Sequence, residues 1–447
     1  MQGLVAARLL LLFGEPSPAA AMASAARAAK RAAAALPPRN LAGMPRESMG
    51  AIVGGPAFRA GQLYEACART AVVGSHAWNT PWSLEADLGT ATSLPASTRA
   101  TLADERYVCR WGEAQEVQRS GEDGTIKLLV GLAGADGSTS GCGEVEAVVI
   151  PAHVAKPADG PAGGAPGSVC VSSQVGCSFR CRFCRTGTQA FERNLSGGQI
   201  AGQVMLAAAA LEREHARDAA ASGRGPAAVP CPSRVRSVVF MGQGEPLMNW
   251  EGVSGAIDVL TDPRGPLGMS RRRITVSTVG VSPRIPAVAD AGARLAVSLH
   301  SAVDATRTAI MPTNARFPLA TVQAACADYL ARARAMRGRE GRSGGRHDHW
   351  ARISLEVTLL RGVNDDLESD TEALARFAAG LGQGAAHVNL IPFNPWPGTT
   401  VRAATKARLL RFAERLRARG VQTTIRATRG RDILAACGQL HSEMRRG

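Results

Sequence analysis

Two rhythms of apolar residues run along the chain, and the places where one gives way to the other divide it. From Asn40 to Val53 and from Phe58 to Thr70 apolar side chains recur at helical spacing, and Leu94-Pro95-Ala96 opens a third helical stretch, Ser97–Asp104. Together these predict a small helical accessory domain over residues 37–112. From Glu116 to Pro151 the period shortens toward two, with Ser120-Gly121-Glu122-Asp123-Gly124 as a turn and Val145–Ile150 as the last strand. A Gly/Pro/Ala-rich linker, Pro157–Gly167, ends this β unit, which spans 113–167.

Beyond Ser168 apolar strands alternate with amphipathic helices. The predicted strands are Val169–Ser172, Val235–Met241, Ile274–Thr278, Leu295–Leu299, Ile353–Leu359 and Val388–Ile391. The helices between them are Ile200–Glu214, Val253–Leu260, Leu319–Ala335, Thr371–Leu381 and Lys406–Arg419. Ser196 and Gln199 stand at the spacing of a capping box for the first of these helices. Such β/α units in series favour parallel strands joined by right-handed crossovers. The expected fold class is α/β: a partial (β/α)6 TIM-like barrel over 168–427, followed by a C-terminal segment, 428–447. The chemistry of such a barrel belongs at the C-terminal ends of its strands. Two low-complexity inserts, His215–Pro232 and the Arg-rich Gly338–His349, read as surface loops.

Charge adds a partner class. The 447 residues carry 52 Lys+Arg against 37 Asp+Glu, a net of +15, which favours polyanions such as RNA or DNA. The Ala- and Arg-rich leader, residues 1–36, holds a net of only +3, so the excess belongs to the rest of the chain. That leader reads as an organelle transit peptide, chloroplast ahead of mitochondrion, with a cytoplasmic location as the alternative. No run of 18 apolar residues occurs, so no membrane partner is expected. Ten cysteines are too few for a disulfide scaffold, and three crowd into eight positions, a pattern that suits metal binding in a reducing compartment.

Those three are Cys177, Cys181 and Cys184, a C-x3-C-x2-C run just after the first barrel strand. Thiolates are the ligands an iron–sulfur cluster prefers, whereas a structural zinc site needs four closed ligands and no fourth Cys or His lies within loop reach. A zinc site completed from far away, or ordinary buried cysteines, are the competing readings. Three ligands leave one iron open for a small molecule. A second motif, Met241-Gly242-Gln243-Gly244-Glu245-Pro246, follows a strand. Leu247 stands where a dinucleotide fingerprint needs its third glycine, so that reading fails. Glycines here let backbone approach a ligand closely, and Glu245 can accept from an ammonium group.

The cysteine run resembles the signature of radical S-adenosylmethionine (SAM) enzymes, and the Gly-Gln-Gly-Glu-Pro stretch resembles their SAM-binding motif. From about Asn40 to Leu440 the chain further resembles the RlmN/Cfr family of RNA adenine methyltransferases, on its RlmN side. The matching text includes Cys170-Val171-Ser172-Ser173-Gln174, Phe191-Glu192-Arg193-Asn194-Leu195, Ser277-Thr278-Val279-Gly280, Ser298-Leu299-His300, Gly362-Val363-Asn364-Asp365, Asn389–Pro395, Arg429–Ile433 and Ala435-Ala436-Cys437-Gly438-Gln439-Leu440. The resemblance implies a 4Fe-4S cluster on Cys177, Cys181 and Cys184. It implies SAM contacts at Gly244, Glu245, Ser277, Ser298, Leu299, His300 and Asn394, with two SAM used per turnover.

By the same resemblance Cys437 carries a methyl group, Cys170 resolves a covalent RNA adduct, and Glu146 accepts a proton. Read by themselves, Cys437 would be a small buried hydrophobe and Glu146 a solvent-facing strand residue. The implied reaction is methylation of C2 of adenosine in large-subunit rRNA and in tRNA, with flavodoxin or ferredoxin as electron donor. Alternatives are Cfr-like methylation of C8 on the same adenosine, and a non-catalytic metal-containing RNA-binding protein. Departures from the family pattern stand at Arg185, Ala190, Gln243 and Ser301. Arg271, Arg272 and Arg273, and the helical series Arg408, Arg411, Arg415 and Arg419, are the expected phosphate contacts.

Overall fold

The computed structural model describes residues 39–44, 46–53, 57–68, 71–74, 82–152, 167–221, 235–339 and 351–442. The leader at 1–36, the linker up to 166, and residues 222–232 and 340–349 of the two inserts lie outside the described residues.

The strands are β1 (Arg39–Asn40), β2 (Ala71–Gly74), β3 (Trp82–Glu85), β4 (Tyr107–Val108), β5 (Arg110–Arg119), β6 (Ile126–Gly131), β7 (Glu144–Pro151) and β8 (Gly167–Cys170). They continue with β9 (Gln174–Val175), β10 (Arg193–Asn194), β11 (Val235–Phe240), β12 (Ile274–Thr278), β13 (Arg294–Ser298), β14 (Ile353–Leu359), β15 (Ala386–Pro392) and β16 (Thr423–Ile425). The α-helices are α1 (Arg46–Val53), α2 (Ala57–Ala68), α3 (Ala96–Asp104), α4 (Gly197–Ala221), α5 (Trp250–Thr261), α6 (Ile285–Asp290), α7 (Asp304–Ile310), α8 (Leu319–Arg339), α9 (Ser369–Gly380) and α10 (Lys406–Ala418).

Twelve strands form one sheet in the order β16-β15-β14-β13-β12-β11-β8-β7-β6-β5-β3-β2. From β8 through β16 every neighbour is parallel. At β7 the pairing turns antiparallel and stays so to β2. This is the expected partial α/β barrel, with a meander continuing its first edge. Strand β14 is buried on both faces, with six of its seven residues buried, because helices cover one side and the barrel interior the other.

The helices owe their position to one apolar stripe each. In α5 the buried residues include Val253, Ala256, Ile257 and Leu260, and in α10 they are Leu409, Phe412, Ala413 and Leu416, both sets one helical face. The start of α4 is the capping box that the sequence spells: Gln199 N–H donates to Ser196 Oγ at 3.2 Å, and Ser196 N–H donates to Gln199 Oε1 at 3.1 Å.

Several short elements differ from expectation, among them the two-residue strands β1, β4, β9 and β10 and helix α7. Strands β2 and β3 fall within the stretch read as wholly helical and extend the sheet, β3 pairing onto β5 and β2 onto β3. Each is only four residues long, too short for a periodic signal against its surroundings. Strand β16 and helix α6 were likewise not drawn from the pattern, being three and six residues long.

Candidate active site at the strand ends

The parallel strands end together, and their ends carry the site. Cys170 closes β8, and the chain runs through β9 into the cysteine loop. Cys177, Cys181 and Cys184 line one cavity with Gly244 and Glu245 beyond β11, Ser277 at the end of β12, Ser298 at the end of β13, and His300. Eight of the residues expected around the cluster and SAM thus share one wall.

The loop beyond β11 folds this way because Gly244 has φ +91°, and a Cβ there would lie 2.5 Å from Cβ of Gln174. Gln174 Oε1 accepts from Glu245 N–H at 2.9 Å, which aims the next side chain inward. Glu245 is buried, and its two oxygens accept from the backbone N–H groups of Leu247 (3.0 Å) and Val279 (2.8 Å). Burial outweighs those bonds and pushes its carboxyl up to about 7.

His300 sits at φ +56°, a left-handed conformation costly for a residue with a Cβ. Its Nδ1 accepts from Thr358 N–H at 3.0 Å, and its ring packs on Phe183 with centroids 4.5 Å apart. Burial, aided by Arg307, pushes the imidazole down to about 3. It is therefore neutral, with Nδ1 as acceptor and the proton on Nε2.

Two expected SAM contacts are placed differently. The Leu299 side chain is fully buried in the core, and its backbone N–H is bonded to the Glu356 carbonyl at 3.0 Å. Asn394 lines a second cavity, where its Nδ2 donates to the Cys437 carbonyl at 3.4 Å. That cavity, about 300 Å³, also holds Cys170, Cys437, Val148, Met241, Arg426 and Arg429. Cys437 is half-buried and lines both cavities. Burial, then the nearby Cys437 sulfur, pushes the Cys170 thiol up to about 12.

Glu146 is not solvent-facing. It is 6 % exposed, and its carboxylate pairs with Lys127 Nζ at 3.2 Å and accepts from His441 N–H at 2.7 Å. Its own N–H donates to Gln243 Oε1 at 3.1 Å, which also accepts from Ser442 Oγ at 2.9 Å. The departure at Gln243 thus ties β7 to the C-terminal segment. Its described residues, 428–442, form no helix or strand and are held by long-range bonds. Thr186 Oγ1 donates to the Leu440 carbonyl at 2.6 Å, Arg185 N–H to the Gly438 carbonyl at 2.8 Å, and Gly121 N–H to Asp432 Oδ2 at 3.0 Å.

Sequence reasoning missed Glu356 and Arg426. Glu356 is a buried carboxylate on β14 that accepts from Ser354 Oγ (2.6 Å) and Asn389 Nδ2 (2.8 Å) and stands 3.9 Å from Arg426 Nη1. A charge inside an apolar strand was the available signal. Arg426 lies on both cavities, and the Cys437 sulfur raises its guanidinium further above its ordinary value. It follows a short strand and carries no periodic signal. Of the arginines expected on phosphate, Arg271 pairs with Asp258 at 2.8 Å, Arg408 with Asp365 at 3.7 Å, and Arg415 with Glu368 at 3.2 Å. Arg419 also pairs with Glu368. Such exposed pairs are weak enough to exchange for a phosphate.

The donor set fits a cluster. Among the described residues no group of three His, Cys, Asp or Glu is drawn close enough to hold a single metal ion. The three thiols line one cavity, and thiolates are the ligands that an iron–sulfur cluster takes. Burial pushes Cys177 up to about 12 and raises Cys181 and Cys184, so the bare loop holds protons that a cluster displaces on binding. No helix among the described residues is long and apolar enough to cross a membrane.

Residues 171–327 match the Radical SAM superfamily, whose members work with a 4Fe-4S cluster and SAM. A dual-specificity RNA methyltransferase RlmN from Rhodospirillum rubrum is 40 % identical over 411 residues, covering 91 % of this chain and 81 % of that protein. The RlmN of Methylobacterium radiotolerans is 40 % identical over 80 % of this chain and 76 % of its own length. The crystal structure of a radical SAM methyltransferase from Sphaerobacter thermophilus superposes with a TM-score of 0.65 at 33 % identity, covering 91 % of this chain and all of that one. With its cysteine loop, its strand-end cavity and these relatives, the chain belongs to the RlmN family of radical SAM enzymes, which use SAM to methylate RNA.

Proposed function

We propose that the protein methylates C2 of an adenosine in large-subunit rRNA, and also in tRNA, through a methyl group carried on Cys437 and released by Cys170. One observation supports this most: Cys437 borders both the cysteine-loop cavity and the second cavity with Cys170. A carrier must receive its methyl group on one side and present it to RNA on the other.

The chemistry explains why a carrier is needed. Adenine C2 is a poor nucleophile, so direct displacement on SAM does not reach it. When bound at Cys177, Cys181 and Cys184, the cluster supplies the electron that makes a 5′-deoxyadenosyl radical from SAM. Glu245 offers its carboxylate to the ammonium of SAM, and neutral His300 offers an Nε2 proton to the same cavity. The Cys437 thiol attacks a first SAM methyl group, losing its proton, with Arg426 stabilising the thiolate. Transfer of a hydrogen atom from that S-methyl group to the 5′-deoxyadenosyl radical gives 5′-deoxyadenosine and a carbon radical, which adds to C2. Release requires removal of the C2 proton, for which Glu146 is the acceptor, and loss of one electron from the adduct radical, which a bound cluster would take up. Cys170, having lost its proton, then attacks the Cys437 sulfur and breaks the bond between sulfur and the methylene carbon; that carbon takes up a proton to become the methyl group, and a Cys170–Cys437 disulfide remains.

The base must leave its stack to enter the second cavity, which favours single-stranded targets. The names of the relatives, dual-specificity RNA methyltransferases, support two RNA substrates. The Arg271–Arg273 and α10 arginines supply phosphate contacts, and a small electron-transfer protein such as flavodoxin or ferredoxin supplies the electron. The test is mass spectrometry of digested rRNA and tRNA after anaerobic reaction with SAM and reductant. The expected product is 2-methyladenosine in both; 8-methyladenosine, or no methylation with SAM still cleaved, would overturn the assignment.

A further inference from the structure

Arg307, on α7, is fully buried, and every one of its hydrogen bonds goes to a neutral oxygen. Nε donates to the Leu299 carbonyl at 3.0 Å and Nη2 to the Val279 carbonyl at 2.5 Å. Nη1 donates to Asn314 Oδ1 at 2.5 Å and to the Phe317 carbonyl at 3.4 Å. The nearest acid on its own helix, Asp304, spends its carboxylate on Asn314 Nδ2 (2.9 Å) and Leu319 N–H (3.1 Å). Among the described residues no ion pair reaches this guanidinium. A buried cation without an anion is costly, and buried charges are ordinarily paired.

The anion is indicated by what Arg307 packs beside. Arg182 N–H, inside the cysteine loop, donates to the carbonyl of Ile310 at the end of α7 at 3.0 Å. Cys181 packs in one cluster with Ile310 and Met311, the residues that follow the arginine by one turn. Two of the three carbonyls that Arg307 holds, Val279 and Leu299, belong to the loops after β12 and β13, next to Ser277, Ser298 and His300. Gly280 (φ +105°) lets the first loop come this close, since a Cβ there would stand 3.3 Å from Nη2.

We propose that Arg307 is a positioning residue whose buried charge is balanced by the cluster on the cysteine loop, and which in return favours the cluster's reduced, more negative state. Its bonds hold the two SAM-facing loops; its charge raises the reduction potential, because added negative charge on the cluster is stabilised by a cation in a low-dielectric interior. This rests on the cluster assignment above.

The test compares wild type, Arg307→Met and Arg307→Lys, each reconstituted anaerobically, by iron and sulfide content, EPR-monitored redox titration and SAM affinity. Arg307→Met, uncharged and of similar length, should bind the cluster but show a more negative midpoint and several-fold weaker SAM binding. Arg307→Lys keeps the charge without the planar fork. Its midpoint should stay near wild type while SAM binding weakens, and this variant carries the test if Arg307→Met does not fold. An unchanged midpoint in Arg307→Met, or a Lys variant shifted in potential as far as SAM binding is weakened, would overturn the inference. A wild-type protein that takes up no cluster would refute the function proposed above instead.

Discussion

Replacing Glu245 with glutamine tests how the site recognises SAM. Its carboxyl is buried and titrates near 7 in place of the ordinary 4.5, a shift that corresponds to about 3 kcal/mol favouring the protonated form. Because the folded chain holds this proton more tightly than the unfolded one, the associated stability is full below about pH 4.5 and lost as pH rises through about 7. An ammonium group at Glu245 reverses the preference. At pH 6 about nine in ten empty sites are protonated and must lose that proton to pair with SAM; at pH 7.5 only about a quarter are. SAM affinity of the cluster-loaded protein should therefore rise about fivefold from pH 6 to 7.5, the gain in carboxylate being offset in part because the ligand's own amino group begins to deprotonate at the upper end of this range. Glu245→Gln should bind more weakly at pH 7.5 and show a flat profile. Equilibrium dialysis with labelled SAM reads both. A wild-type affinity that does not change with pH, or a glutamine variant that keeps the slope, refutes the pairing.

Three other substitutions separate the roles assigned to the site. Cys437→Ala should keep the cluster and SAM cleavage but transfer no methyl group to RNA, as read by iron content, 5′-deoxyadenosine release and RNA mass spectrometry. Cys170→Ala should trap the protein on RNA as a covalent adduct that survives denaturing electrophoresis; free turnover by this variant would remove Cys170 from the reaction. Glu146→Gln should lose methylation and about 3 kcal/mol of stability, since it leaves Lys127 buried without its partner. The double change Glu146→Gln with Lys127→Met should regain most of that stability in urea unfolding but none of the activity.

What was legible in the sequence was what is local. The six barrel strands announced themselves because a parallel strand buried on both faces is a short apolar run, and β12 and β14 begin and end where the pattern says. The start of α4 was legible because a capping box closes within four residues. The cysteine loop was legible because all three thiols sit in eight consecutive positions. Strands β2 and β3 were not, since four residues do not establish a period and β3 is placed by β5, whose facing residues lie 25 or more positions away.

The same reason governs the site. Sequence determined which residue types were present and, by family resemblance, which ones to watch. Only the tertiary structure decided that Glu146 is buried against Lys127, that Leu299 faces the core, and that Asn394 turns to the second cavity. It alone brought Glu356 and Arg426 to the wall and paired the basic face of α10 with Asp365 and Glu368. The segment that carries Cys437 has no periodicity to read, because it is held by bonds to Gly121, Glu146 and Thr186, partners more than 250 residues away in the chain. Hydrophobic spacing encodes which face of an element is buried; it does not encode where an irregular segment is tied down, and that tie is what sets Cys437 between the two cavities.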